Sequence, residues 1–372
     1  MKKIWANSGD SHFLEPEDLW RNGLPKSLAD RTPHSVKDAD GEWETVHVDG
    51  RQFRRKLPTS AQRDFKEKSK GAPGGRDVDI RLKDLDNEGI WAEVVFPSLG
   101  MWNASMRDPA LVREMTKVSN DWAHDTLMKK SERLLPTAQV SMLSIADAVK
   151  ELERCAELGF KSVFLPTTPP DALPDYNRDD WEVFWAAAEA ARMVIAVHIG
   201  SDPVDLNGDD VGIVYKGPGG AILNYTETTF SGQKAAMKLV ACGALDRHPD
   251  LKVLISEGGA TWVPFLGDRM NEGFRQHQMA VRPKLLRPPK EILYRQVYAS
   301  FQHDETAIAA MTAMGYNNVL WGSDYPHMEG TFGHTQETLH SLFDGVDDAV
   351  RYRITQGAFR ELFPHVAPVP AE

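Results

Sequence analysis

Apolar residues recur along the chain in two alternating rhythms. Short runs rich in Val, Ile, Leu and Phe occur at residues 4–8, 91–96, 134–140, 162–165, 194–198, 252–256, 296–301 and 318–322. Longer stretches between them follow the helical period. Several short runs are apolar throughout, as strands covered on both faces should be. The helical stretches include 110–131, 145–158 closed by Gly159, 181–192, 232–246, 306–314 closed by Gly315, and 347–362. A glycine just past the last turn is a stop signal, because it adopts a left-handed conformation without a Cβ penalty. Strands alternating with helices over residues 1–372 predict one α/β domain, a distorted (β/α)8 barrel with parallel strands.

Two segments break this rhythm. Residues 21–76, with a hairpin turn expected at Asp49-Gly50, and residues 201–230, rich in Gly, Asp and Pro, follow the first and fifth runs. They are expected to be insertions or lids over one end of the barrel. The Pro-rich residues 287–289 read as a connector, and 364–370 as a frayed terminus.

Composition narrows the function classes. The 372 residues are 41% hydrophobic and 26% charged, which suits a globular protein large enough for one barrel with insertions. A formal net charge of -11 argues against a nucleic-acid partner. The densest basic stretch, 51–70, is interrupted by acids and reads as solvated surface. No apolar run approaches the roughly 20 residues that cross a bilayer, and no signal-like apolar segment follows the first residues. No membrane partner and a cytoplasmic location are therefore expected. Cys155 and Cys242 lie far apart in helical stretches, which suits buried apolar residues better than a disulfide or a sulfur-ligated zinc.

In a barrel of this kind the reactive groups sit where strands end at the carboxyl face. The first run leads into Ser8-Gly9-Asp10-Ser11-His12, where the spacing of Asp10 and His12 places both side chains on one face of an extended chain. The fifth run ends at His198, and the sixth is followed by Glu257-Gly258-Gly259. His303-Asp304 follow the seventh, and Gly322-Ser323-Asp324-Tyr325-Pro326-His327 the eighth. A lone histidine after an apolar run is more often a hydrogen-bonded core residue. Acids and imidazoles at five strand ends instead converge on one mouth. Asp10, His12, His198, Glu257 and Asp324 are the candidate metal ligands, and Asp324, Glu257, His303 and His327 the candidate catalytic groups. Mixed nitrogen and carboxylate ligands suit Zn, Mn or Fe, as one or two ions, better than Ca or Mg. Trp102, Trp122, Trp185 and Trp262 are expected to pack rather than line a pocket, and His124 and His248 to be structural or exposed. Arg81, Arg107 and Arg178 are candidates to grip a substrate carboxylate.

At these residues the chain resembles the amidohydrolase superfamily, in the branch of the aminocarboxymuconate semialdehyde, resorcylate and carboxyvanillate decarboxylases. The carrying motifs are Asp10-Ser11-His12 with Glu15-Pro16 and Leu19-Trp20, Val95-Phe96-Pro97-Ser98, and His198. They continue with Glu257-Gly258-Gly259, Trp262-Val263-Pro264, and Gly322 to His327. The resemblance implies that Asp10, His12, His198 and Asp324 are metal ligands and that Asp324 also exchanges protons. Two departures stand out: relatives commonly carry His or Glu where this chain has Asp10, and His where it has Glu257. Glu257 could do proton work only with a pKa raised by burial, or it could itself be a ligand. The fourth run ends Leu165-Pro166, so no lysine is available there for the carbamylated bridge of many dinuclear relatives.

The leading expectation is a metal-dependent enzyme that hydrolyses or non-oxidatively decarboxylates a small, carboxylate-bearing substrate. The carboxylate-rich ligand set also resembles the few superfamily members that use a dinuclear Fe or Mn/Fe centre to activate O₂ and hydroxylate a substrate. A third reading is a non-catalytic partner of a catalytic homologue. A homo-oligomer, or a hetero-oligomer with a homologous subunit, is expected.

Overall fold

A computed structural model of the chain describes residues 2–57, 73–204, 214–277 and 279–369. Residues 1, 58–72, 205–213, 278 and 370–372 lie outside it, and with them parts of both expected lids, most of the basic stretch and the last proline of the terminus.

All eight apolar runs contain strands. β1 (Ala6–Ser8) is followed by β2 (His12–Phe13), and the antiparallel β3 (His34–Lys37), β4 (Trp43–Val48) and β5 (Arg51–Lys56) come next. The remaining strands are β6 (Ile90–Pro97), β7 (Leu134–Pro136), β8 (Ser162–Leu165), β9 (Val194–His198), β10 (Val253–Ser256), β11 (Val297–Phe301) and β12 (Val319–Trp321). One parallel sheet holds β1, β2 and β7 around β6, and another runs β12-β11-β10-β9-β8. Parallel bridges Ala138↔Val163 and Ser11↔Tyr325 join the two sheets at both edges. The run expected over 134–140 pairs fully only to Pro136; beyond it, Ala138 alone bridges to Val163.

Alternation along the strands separates two cores. Ala92, Val94 and Phe96 of β6 face inward with Phe164, Ala196, Leu254, Tyr298 and Leu320, while Val95, Val163, Ile195 and Val197 face the surrounding helices. The tail helix Ala358–Leu362 contributes Phe359 and Leu362 to the inner cluster. Gln356 and Arg353 bond to the carbonyls of Trp5 and Asn317, just before β1 and β12, so this tail closes the amino end of the barrel. The opposite end is left to loops.

Helix Ile145–Leu158 has the expected bounds. The Ser144 hydroxyl accepts from Asp147 N at its start, and Gly159 takes φ 102° at its end. The stretch expected at 232–246 is different: the helix already begins at Gly220, running to Ala241, and Gly243 at φ 77° separates it from Ala244–Arg247. The second lid segment is thus partly helical, and its early turns expose Ile222, Leu223 and Tyr225 instead of burying an apolar face. Asp49 and Gly50, at φ 50° and 73°, make the two-residue turn between β4 and β5. That hairpin packs Val46, Val48 and Phe53 against Met106, Leu111, Val112 and Met115. Among the described residues no helix is long and apolar enough to cross a membrane.

Candidate metal centre

The first barrel strand is interrupted. β1 and β2 both pair with β6, and the register shifts between Ala6 and Ser8, so the chain loops at 9–11 and returns to the sheet at His12↔Phe96. Serine hydroxyls fix that loop. Ser8 Oγ donates to Asp10 O at 2.6 Å and accepts from Ser323 N at 2.8 Å, and Ser256 Oγ donates to Gly9 O at 2.8 Å. Asp324 N donates to Asp10 O at 3.0 Å, which locks the loop to the chain after β12. Gly322 permits this approach, since a Cβ there would lie 2.8 Å from that of Asp10. Behind the loop, the buried Arg81–Glu93 ion pair sends Arg81 Nη1 to His12 O at 2.8 Å. Arg81 is therefore a support for His12, not the substrate grip expected of it.

These constraints gather Asp10, His12, His198 and Asp324, all at most 3% exposed. His12 Nε2 lies 3.0 Å from His198 Nε2, 3.6 Å from Asp324 Oδ1 and 3.9 Å from Asp10 Oδ1. His198 Nε2 lies 3.3 Å from Asp10 Oδ1 and 3.5 Å from Glu257 Oε2. Ligand atoms about 2.0–2.2 Å from a common ion are at most roughly 4.4 Å apart, so each of these separations fits, and the ligand atoms fall into two groups that share His12, Asp10–His12–His198 and His12–Asp324–His327.

The hydrogen bonds argue the same way. His198 Nδ1 faces Ile199 O at 2.6 Å and His12 Nδ1 faces Pro97 O at 3.4 Å. A carbonyl accepts only, so each Nδ1 carries the proton and each Nε2 turns a lone pair toward the other. Such a pair needs a cation or a proton between its members. Both carboxylate oxygens of Asp10 and of Asp324 are buried without a well-formed hydrogen bond. Buried charge in that state is costly unless an ion compensates it. The donor set fits a divalent metal.

Without an ion the titration is distorted. Burial, then His198 and His327, hold the His12 imidazole well below its usual range. Burial opposes charge on His198, but Asp10 and Glu257 outweigh it and push its pKa up to about 10. Burial, reinforced by Asp10 and Asp324, raises Glu257 to about 8, and burial with Asp10 raises Asp324 to about 6. Glu257 and Asp324 also hold left-handed backbones, at φ 64° and 53°, each costing on the order of 1–3 kcal/mol. Ser300 Oγ accepts from Glu257 N at 3.0 Å and supports that turn.

His327 enters the centre. Its Nδ1 lies 2.8 Å from Asp324 Oδ1 and its ring stacks on His12, centroids 4.1 Å apart. Burial lowers its pKa, but Asp324 more than restores it, and the net shift is upward. His303 does not enter: it is exposed, and its Nε2 reaches Glu329 O at 3.0 Å. It belongs to none of the ligand groups among the described residues. Glu329 does, grouped with Glu257 and Asp324, and sequence reasoning missed it. Its only signal was a place five residues beyond Asp324. Tyr225, on the helix from Gly220, was also missed; burial, then Glu257, Glu329 and Asp324, raise its phenol pKa.

Other expectations resolve as packing. Trp185 is buried against Trp181, Phe184 and Tyr176, Trp122 packs on Phe13, Trp102 stacks on Phe53, and Trp262 Nε1 donates to Gly259 O. His248 sits between Glu189 and Glu182, and His124 beside Asp125. Cys155 and Cys242 are free thiols. Arg178 is exposed, whereas Arg107, with Arg51, lines a cavity of about 590 Å³ among the loops that follow β6, β8 and β9.

A ring of parallel strands with acids and imidazoles at their carboxyl ends defines a protein of the α/β-barrel class. The chain belongs to the amidohydrolase family, whose model matches residues 72–364. A γ-resorcylate decarboxylase of Polaromonas sp. is 24% identical over 300 residues, 77% of this chain and 86% of that protein. Among solved structures, an amidohydrolase of Mycobacterium avium subsp. paratuberculosis superposes with TM-score 0.76 at 17% identity, covering 97% of this chain and all of that one. The 2,6-dihydroxybenzoate decarboxylase of Rhizobium gives TM-score 0.65 at 17% identity, covering 98% and 99%.

Proposed function

We propose that this protein is a divalent-metal-dependent enzyme that releases CO₂, without oxidation, from a small hydroxylated aromatic carboxylate. The observation that carries this reading is the pair of imidazole Nε2 atoms facing each other at 3.0 Å, flanked by the buried carboxylates of Asp10 and Asp324. Resemblance to resorcylate and dihydroxybenzoate decarboxylases supplies the reaction class, and a solved dihydroxybenzoic acid decarboxylase of Polaromonas carries bound manganese.

Asp10, His12, His198 and Asp324 would hold the ion. When bound, it supplies a Lewis acid that attracts and polarises the substrate's carboxylate and neighbouring hydroxyl oxygens. His327 handles the proton. Asp324 keeps Nδ1, the stack on His12 fixes the ring plane, and partial exposure leaves the imidazole accessible from the mouth. The imidazolium protonates the ring carbon bearing the carboxylate; the C–C bond then breaks, CO₂ leaves, and the ring regains aromaticity. Arg107 in the loop cavity supplies a cation for an anionic substituent.

The test is a panel of dihydroxybenzoates and 5-carboxyvanillate incubated with manganese-loaded protein, following product by chromatography and O₂ by electrode. CO₂ release without O₂ uptake, lost in Asp324→Asn, is expected. O₂ consumption matched to a hydroxylated product, or hydrolysis of esters or amides with no CO₂, would overturn it.

A further inference from the structure

The helix Gly220–Ala241 is longer than the barrel it packs on. A Cβ at Gly232 would lie 2.7 Å from Ile255 Cγ2 and 3.3 Å from Ile199 Cγ2, so the helix meets the sheet there at the carboxyl ends of β9 and β10. Ala235, Ala236, Leu239 and Val240 bury the turns that run toward the amino end. The twelve residues from Gly220 to Ser231 therefore rise beyond the strand ends, by about 18 Å at 1.5 Å per residue. Between Gly220 and Ser231 the helix buries no side chain.

This overhang is held by polar bonds instead of a core. Asn224 Oδ1 accepts from Val214 N at 3.0 Å and Tyr215 N at 2.8 Å, and its Nδ2 donates to Tyr215 O and Gly220 O, each at 2.8 Å. Its inner side is nonetheless apolar. Tyr225 stands seven residues before Gly232, and Ile222 eighteen before the buried Val240, so whole numbers of turns place both on the side that packs on the barrel further down. They are 60% and 75% exposed, so among the described residues nothing covers them. Tyr225 looks onto the metal centre, since its phenol lies in the field of Glu257, Glu329 and Asp324. Phe265, 68% exposed in the first turn of the adjacent helix Trp262–Gln276, adds apolar surface at the same end.

We propose that this overhang is the apolar wall of the substrate site. The aromatic acid carries an alkyl or acyl substituent that leaves the metal centre past Tyr225 and lies against Ile222. Continuity with the mouth selects this occupant: Tyr225 joins the two surfaces, and Ile222 stands about 4.5 Å further out along the helix axis. This rests on the metal centre being the substrate site proposed above, and it narrows the substrate to hydroxylated aromatic carboxylates with an apolar tail.

The experiment uses the full chain loaded with Mn²⁺ and 2,6-dihydroxybenzoates bearing hydrogen, propyl, pentyl or heptyl at the 4-position. Titration calorimetry gives dissociation constants, and CO₂ release is followed in parallel. Affinity is expected to rise with chain length, by up to about fourfold for each methylene laid against the helix. Ile222→Asn, an exposed change whose folding circular dichroism checks, should cut the heptyl-to-hydrogen affinity ratio at least tenfold. Leu223→Asn, on the outer side of the same turn, should keep it. Affinity independent of chain length, or a gain that survives Ile222→Asn, overturns the apolar wall and leaves the decarboxylase reading standing if the parent acid still releases CO₂. A flat series in which sedimentation finds wild type a dimer and Ile222→Asn a monomer assigns the face to a second copy instead. Chain-length-dependent binding without CO₂ release keeps the wall and overturns the reaction, and failure of every member to bind overturns both.

Discussion

Loading the centre with metal should expel protons, by an amount the geometry sets. In the metal-free chain Asp10 and Glu257 push the His198 pKa up to about 10 against the opposing effect of burial. Because that value lies above the ordinary 6.5, the protonated ring stabilises the metal-free fold at low pH, and the contribution is lost as pH rises through 10. An ion bound by His198 Nε2 must displace that proton. At pH 7 the displacement costs roughly 4 kcal/mol, three pKa units at about 1.4 kcal/mol each, which lowers the apparent affinity about a thousandfold below its intrinsic value. Affinity for Mn²⁺ should therefore climb about tenfold per pH unit between pH 6 and 8. Glu257, raised to about 8, adds to the count wherever it becomes a ligand. Titration calorimetry at pH 7 in two buffers of different ionisation enthalpy measures the number directly, and at least one proton per ion is expected. Binding with no proton released, or an affinity flat from pH 6 to 8, would refute the claim that an ion takes the place of a proton between these imidazoles.

Three further outcomes test the frame around the centre. Arg81→Met leaves Glu93 buried and unpaired and removes the donor to His12 O, so denaturant melts should show a loss of about 3–5 kcal/mol, partly recovered in the Arg81→Met/Glu93→Leu double variant. His327→Asn should lower kcat on the order of 10²-fold or more while Mn²⁺ stoichiometry, read by elemental analysis, stays unchanged. Arg107→Ala should raise KM for anionic substrates with little change in kcat; a change confined to kcat would remove that cavity from substrate binding.

The two strained residues mark where the barrel departs from regular geometry. Glu257 follows β10 directly and Asp324 lies three residues beyond the end of β12, and their left-handed backbones turn each carboxylate toward the mouth instead of continuing the strand. Glycines would take those conformations more easily, yet a glycine has no side chain to offer as a ligand. Serines at the ends of β1, β10 and β11 complete the support by bonding the neighbouring backbone.

Much of this was legible in the order of residues alone. Solid apolar runs marked the barrel strands because both their faces are covered, and glycines marked helix ends because the left-handed stop is local. The one-residue spacing of Asp10 and His12 named the pair, but the strand breaks at 9–11, and hydrogen bonds from Ser8 Oγ, Ser256 Oγ and Asp324 N, rather than strand alternation, hold Asp10 beside His12. Tertiary structure decided what depends on distant partners. It paired Arg81 with Glu93 beneath His12, left His303 outside and drew His327 in. It also brought Glu329 beside Glu257, from a strand end more than 70 residues away. Periodicity reports which face a residue turns to its own element. Which acids share a charge, and which imidazole stacks on another, is settled only when the ring of strands places their loops at one end.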